Sequence, residues 1–215
     1  MPSDPAPRVL VVDRDAPDSG ALRIAAGILN AGGVVAYPTD TLYGLAADPR
    51  DPAAIDRLVD AKRRPAGLAL PLIASDRAQA ERAAAGLTPL ARRLMDAFWP
   101  GPLAIVVGAA GGLDPRVVGA GGTIAVRVPA NPVARALAYV LHYPITATSA
   151  NRSGSPAPAT AAAACAAFGS DIDAVIDAGP TPGGSPSTIV DARGIAPRLV
   201  REGAVAWDRV LQSSA

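Results

Sequence analysis

Asp51-Pro-Ala-Ala-Ile55-Asp-Arg-Leu58-Val59-Asp-Ala-Lys62-Arg-Arg64-Pro65, followed by Leu70-Pro-Leu-Ile-Ala74, decides the fold. The first part reads as a helix. Asp51 supplies an N-cap acceptor, and Pro52 suits the first turn because its missing N–H would have no partner there. Ile55, Leu58 and Val59 form an apolar stripe at helical spacing, and Pro65 stops the run. The second part is a short apolar strand. Just upstream, residues 34–37 read as another buried strand, running into Pro38-Thr39-Asp40-Thr41. Strand, helix and strand in succession are the repeating unit of an α/β domain.

The alternation extends both ways. Residues 8–12 read as a strand and 19–31 as a helix, with Ser19 as N-cap and Gly32-Gly33 ending it. Downstream, Thr88-Pro89 and Asn131-Pro132 repeat the cap-plus-proline start, for helices ending near Trp99 and His142. Strands are expected at 103–107, 123–128 and 145–148, then a polar, proline-bearing loop to Pro158. An alanine-rich helix over 160–168 and short strands at 175–176, 188–190 and 199–200 complete the pattern. No stretch reads as a linker. The expectation is one domain over residues 1–215, its core roughly 19–203, built on a twisted mixed sheet flanked by helices.

Composition narrows the function classes. Half of the 215 residues are hydrophobic but only 4% are aromatic, so the core must be Ala, Val, Leu and Ile. Net charge is +1, which gives no global drive toward nucleic acid or membrane; any basic site must be local. No apolar stretch is long enough to span a bilayer, and the start MPSDPAPR lacks the apolar core of a secretion signal. The single Cys165 cannot form an internal disulfide and fits a reducing cytosol, so the expected location is cytoplasmic. With one histidine and one cysteine, a protein-built zinc site is not expected, and no metal-ligating residue is assigned. A Gly-x4-Gly-Lys-Ser/Thr loop is absent. Gly119-Ala-Gly121-Gly122 precedes a strand where a dinucleotide fingerprint needs a helix.

Lys62 is the only lysine; the other nineteen of the twenty Lys and Arg residues are arginine. A chain that uses Arg by default and keeps one Lys has a position that suits a compact charge, as phosphate binding does. Lys62 continues the apolar stripe of its helix, and Arg64 follows just past the end. Both could instead serve the helix dipole. In Thr123-Ile-Ala-Val-Arg127-Val-Pro129, strand alternation puts Thr123 and Arg127 on one face, roughly 13 Å apart. That is the span of an extended ligand. Ser149-Ala-Asn151 follows a strand, where α/β crevices commonly lie, and Ser187 follows a glycine-rich turn. A cleft with Lys, Arg, Ser, Thr and Asn and few candidate bases favours phosphate-bearing substrates, positioned and charge-neutralised.

Seven segments in this order resemble the YrdC-like family of threonylcarbamoyl-adenylate synthases, single-domain type. They are Pro38-Thr-Asp-Thr-Leu-Tyr-Gly-Leu45, Lys62-Arg-Arg-Pro65, Trp99-Pro-Gly-Pro102, Thr123-Ile-Ala-Val-Arg-Val-Pro129, Ser149-Ala-Asn-Arg-Ser-Gly154, Ser187-Thr-Ile-Val-Asp191 and Arg201-Glu-Gly203. The resemblance implies a concave basic cleft and a nucleotidyltransferase. L-threonine, bicarbonate and ATP would give threonylcarbamoyl-AMP and pyrophosphate, and a partner transferase complex would pass the threonylcarbamoyl group to tRNA. It implies that Thr41, Arg127 and Ser187 hold threonine. It implies that Lys62, Arg64, Thr123, Ser149, Asn151 and Arg201 hold ATP, with Lys62 and Arg64 catalytic and Mg²⁺ carried mainly by the phosphates. No membrane partner is implied.

Two departures stand out. The family usually has three residues between Lys-x-Arg-Pro and Pro-Leu, often with Asn before that proline. Here there are five, residues 66–70, with Leu70 at the Asn position, and Ser75 stands where relatives often have histidine. This loop is expected to be mobile and to close over the nucleotide. The chain also ends soon after Arg201, where longer relatives carry a linker and a further domain. The competing readings are a same-fold paralogue without the activity, and an RNA-binding module using the basic face weakly. Scarce aromatics count against the latter.

Overall fold

The computed structural model describes residues 6–65 and 67–214. The reading of the extreme N-terminus falls partly on residues 1–5, and the loop 66–70 begins at Ala66; those residues lie outside the described ones. In chain order the first elements are β1 (Arg8–Val11), α1 (Ser19–Asn30), β2 (Val35–Pro38), β3 (Tyr43–Ala46), α2 (Pro52–Lys62) and β4 (Leu72–Ile73). Next come α3 (Arg77–Ala83), β5 (Ala84–Ala85), α4 (Pro89–Phe98), β6 (Leu103–Ala109), β7 (Thr123–Arg127) and α5 (Pro132–Leu141). The last are β8 (Ile145–Thr146), β9 (Thr148–Ser149), α6 (Ala161–Phe168), β10 (Ala174–Asp177), β11 (Thr188–Asp191), β12 (Arg198–Arg201) and α7 (Trp207–Ser214).

The helix starts follow the expected chemistry. Asp51, Thr88, Asn131 and Thr160 each cap the helix they precede, the first three with proline in the first turn. The cap of α1 is Asp18 rather than Ser19. Its carboxylate accepts from the Ala21 N–H at 3.0 Å, one residue earlier than the serine reading placed it.

The α/β class holds, but the strands divide over two mixed sheets. One runs β1-β10-β2-β3-β9 and the other β12-β11-β6-β7-β4-β8, with β5 paired to β6. The segment read as a single strand at 145–148 is where the chain changes sheets. Ile145 and Thr146 pair with β4 in the second sheet, and Thr148 and Ser149 pair with β3 in the first. Between them the Ala147 N–H leaves both ladders and donates to the Pro71 carbonyl at 2.8 Å. Buried Thr146 ties the crossing: its hydroxyl accepts from Ala47 N (2.8 Å) and donates to the Leu45 carbonyl (3.2 Å).

Two apolar clusters follow from the two sheets. The larger gathers α2, α4, α6 and the faces of β6 and β7; the smaller packs α1 and α5 on the β1-β10-β2 side. With so few aromatics, both are filled by small aliphatic residues, and Tyr37 and Tyr43 are the largest fully buried side chains. Each phenol finds a carbonyl, Tyr37 that of Thr146 (3.0 Å) and Tyr43 that of Gly179 (2.9 Å). Among the described residues no helix is long and apolar enough to cross a membrane.

Candidate active site between the two sheets

A cavity of about 280 Å³ lies where the sheets face each other. β2, β3 and β9 supply one wall with Tyr37, Tyr43 and Ser149. β4, β6, β7 and β11 supply the other with Ile73, Ala104, Arg127 and Ile189. Among the described residues, Arg64, Arg127 and Arg201 are its charged lining residues and no carboxylate lines it. Thr41, Ser149 and Ser187 add hydroxyls. Three cations and several hydroxyls around a partly apolar space suit a multiply anionic ligand that also carries apolar groups.

Of the nine candidates from the sequence, the cavity gathers six: Thr41, Arg64, Arg127, Ser149, Ser187 and Arg201. Arg127 stands at the end of β7, buried, its Nη1 donating to the Asp40 carboxylate at 2.6 Å. Arg201, at the end of β12, donates through Nη2 to the Ser187 carbonyl at 2.7 Å and so fixes the serine backbone beside its own charge. Burial, and then the nearby Arg127 charge, lowers the Arg201 pKa; burial lowers that of Arg64. Both remain cations at neutral pH, because a guanidinium titrates far above it. Arg64 donates to the carbonyls of Leu68 and Ala69, at 3.3 and 3.2 Å.

Lys62, Asn151 and Thr123 are not in the lining. Lys62 does continue the apolar stripe of α2 and is buried at 2% exposure. Its Nζ donates to the backbone carbonyls of Ser149 and, at 2.7 Å, of Asn151. Ser153 N donates back to the Lys62 carbonyl at 2.9 Å. The lysine therefore clasps the Ser149–Asn151 turn from behind, using two of its three N–H groups. Burial, with the Arg64 charge second, pulls its ammonium down to about 8. Asn151 completes the turn: its side chain accepts from the Ser149 hydroxyl and donates to the Ser155 carbonyl at 2.6 Å. Thr123 and Arg127 share a strand, but only Arg127 reaches the cavity. The Thr123 hydroxyl donates to the Ala120 carbonyl at 3.2 Å in the preceding turn.

In the loop before β4, Leu70, which stands where relatives often have Asn, is a packing residue. It is 1% exposed and belongs to the larger apolar cluster, and its N–H donates to the Arg116 carbonyl at 3.1 Å. The residues that face outward are Gly67 and Leu68, and Ala69 lines the cavity. The longer loop thus turns its last residue inward. Sequence reading missed Asp40, Thr39 and the two tyrosines. Asp40 was visible within Pro38-Thr-Asp-Thr, yet its partner Arg127 lies 87 residues away and nothing local announces the pair.

Comparison with known proteins agrees with this architecture. The family model Sua5_yciO_yrdC, described as telomere recombination, matches residues 27–203. A Pyrococcus abyssi protein named threonylcarbamoyl-AMP synthase is 36% identical over 203 residues, which cover 94% of this chain and 59% of that protein. One of the same name from Nitrosococcus oceani is 37% identical over 172 residues, covering 80% of this chain and 93% of that one. The crystal structure of Pyrococcus abyssi Sua5 complexed with L-threonine superposes with a TM-score of 0.89 at 35% identity, over 95% of this chain and 60% of that one.

Proposed function

The chain belongs to the Sua5/YciO/YrdC family, and from that premise we propose that it is an L-threonylcarbamoyladenylate synthase. It would convert L-threonine, bicarbonate and ATP into threonylcarbamoyl-AMP and pyrophosphate. The observation that carries the reading is the cavity between the sheets, where Thr41, Arg127 and Ser187 stand beside Arg64, Ser149 and Arg201. The first three are suited to an amino acid: a guanidinium for the carboxylate and hydroxyls for the polar groups. The second three are suited to the phosphates. Support for threonine as the amino acid comes from the threonine-bound Pyrococcus abyssi structure. The paralogue and RNA-binding readings gain no support from the names of the relatives.

In this mechanism the threonine amine and bicarbonate condense to a carbamate with loss of water. A carbamate oxygen attacks the α-phosphorus of ATP, the bond from that phosphorus to the bridging oxygen breaks, and pyrophosphate leaves with the oxygen. The protein positions the two reactants in line and neutralises charge. Arg64 and Arg201 face the phosphates. Lys62 adds its charge from behind the turn and holds Ser149 in place, with Asn151 as brace. Thr123, held by Ala120, has no place in the cavity as it stands, so its ATP role is the one the geometry supports least. Mg²⁺ arrives with ATP as part of the substrate, coordinated by phosphate oxygens and water. The product is a mixed anhydride that water destroys, so a transferase acting on tRNA must take it over. The cytoplasm suits both that hand-over and the unpaired Cys165.

The deciding experiment incubates the pure protein with threonine, bicarbonate and Mg-ATP and measures pyrophosphate. Release that depends on both threonine and bicarbonate is expected. Release indifferent to threonine, or none, refutes the proposal.

A further inference from the structure

Arg127 is held from one side only, and Asp40 is what holds it. The Asp40 carboxylate accepts from Arg127 Nη1 at 2.6 Å and from the backbone N–H groups of Ala130 (3.3 Å) and Asn131. The pair is withdrawn from water, the two side chains being 8% and 15% exposed. α5 does not need this carboxylate as a cap. Asn131 already caps it, accepting from Ala134 N at 3.0 Å. Asp40 sits instead in the turn that carries Thr41, and Thr39 sets that turn by donating to the Leu42 carbonyl at 2.7 Å. Among the described residues, Nη1 is the only guanidinium nitrogen of Arg127 that donates to a protein partner.

We infer that Asp40 is a positioning residue for the amino-acid site. It fixes the Arg127 guanidinium by one edge and leaves the other edge for a ligand carboxylate in the cavity. The inference rests on the synthase reading of that cavity. The physical argument is orientation. A long, flexible arginine recognises a carboxylate well only when its planar fork is held in register, and a charge-assisted bond to a buried acid does this. The same carboxylate, sitting in the Thr41 turn, binds the end of β7 and the start of α5, so the group it orients in the cavity is the Arg127 guanidinium.

Kinetics of pyrophosphate release, with threonine and ATP varied separately, test the inference in the wild type, Asp40→Asn, Arg127→Ala and the double variant. Asp40→Asn should raise the threonine KM about tenfold or more, as loss of a charge-assisted hydrogen bond does. kcat and the ATP KM should stay within about threefold. The double variant should be no worse than Arg127→Ala alone, because Asp40 acts through Arg127. An unchanged threonine KM, an equal rise in the ATP KM, or additive losses would overturn it. If Asp40→Asn does not fold, Asp40→Glu decides: it keeps the charge but displaces it, and an unaltered threonine KM counts against the inference. A wild type without threonine-dependent release sinks the synthase reading and this inference with it. An active wild type with an indifferent Asp40→Asn sinks the inference alone.

Discussion

Lys62 concentrates the residue-scale argument, because its charge and its clasp have opposite pH signatures. In the fold its ammonium loses its proton at about 8, and in the unfolded chain at the ordinary 10.5. Between those values the unfolded state binds more protons, so stability rises with pH across the window; below about 8 the full cost of burying the cation is present. In the proposed reaction that charge helps to neutralise the phosphates. Synthesis should therefore fall as pH rises through about 8 while the melting temperature holds or climbs. Pyrophosphate release and thermal melting on the same samples check this, and a parallel loss of both would contradict it. Lys62→Ala should lower synthesis on the order of a hundredfold, since charge and clasp go together. Lys62→Arg should rescue little, because a planar fork cannot sit on two carbonyls as a compact ammonium does. The lysine was conspicuous in the sequence by its rarity. Its attachment to the Ser149 and Asn151 carbonyls was not, since backbone acceptors leave no mark on composition.

Elements were legible where their ends carry local chemistry. Asp51-Pro52, Thr88-Pro89 and Asn131-Pro132 start helices because a capping side chain and a proline act within one turn. β3 was missed because Gly44 weakens its pattern, yet glycine suits the position, since a Cβ there would lie tight against the Tyr37 ring and the Thr148 carbonyl. α3 was missed because Arg77-Ala-Gln-Ala-Glu-Arg-Ala has almost no apolar stripe; Asp76 caps it by accepting from Gln79 N at 2.7 Å. Two elements bear on function and make separate predictions. Just before β4, Leu70→Asn would place an amide in the core, and a loss of about 2–4 kcal/mol is expected, measured by urea unfolding, with no gain in ATP affinity by calorimetry. At the end of the β11–β12 hairpin, a side chain on Gly203 would collide with the Pro186 carbonyl oxygen. Gly203 N also donates to the Thr188 hydroxyl at 2.9 Å. Gly203→Ala should cost about 1–3 kcal/mol and displace Ser187 and Arg201 together, raising the KM of both threonine and ATP.

The whole molecule shows why the site could be only half read in advance. Alternation of strands and helices announces α/β, and the motif residues announce a phosphate-handling cleft. Whether the strands make one sheet or two depends on pairing partners far apart in sequence, and the change of sheet at Ala147 is accompanied by bonds to distant partners, Ala147 N to the Pro71 carbonyl and the Thr146 hydroxyl to Ala47 and Leu45. The cavity exists because the two sheets face each other there without filling the gap. Ala104 and Ala147 line it where a larger residue would close it. On the proposed reading, the space is left open for the ligand. Ala104→Leu tests that claim. Ala104 is 4% exposed and lies on β6 opposite Ile189 of β11, well inside the second sheet. Added methyl groups would occupy the cavity rather than displace packed neighbours, so the melting temperature should hold or rise by the equivalent of about 1 kcal/mol. Threonine-dependent pyrophosphate release should fall about tenfold or more, because the substituent competes for the space in which the proposed mechanism brings the carbamate to the α-phosphorus. Full activity with a normal melting temperature would mean that the reaction takes place elsewhere on the molecule. A large loss of stability would mean that the gap is already packed and is no site.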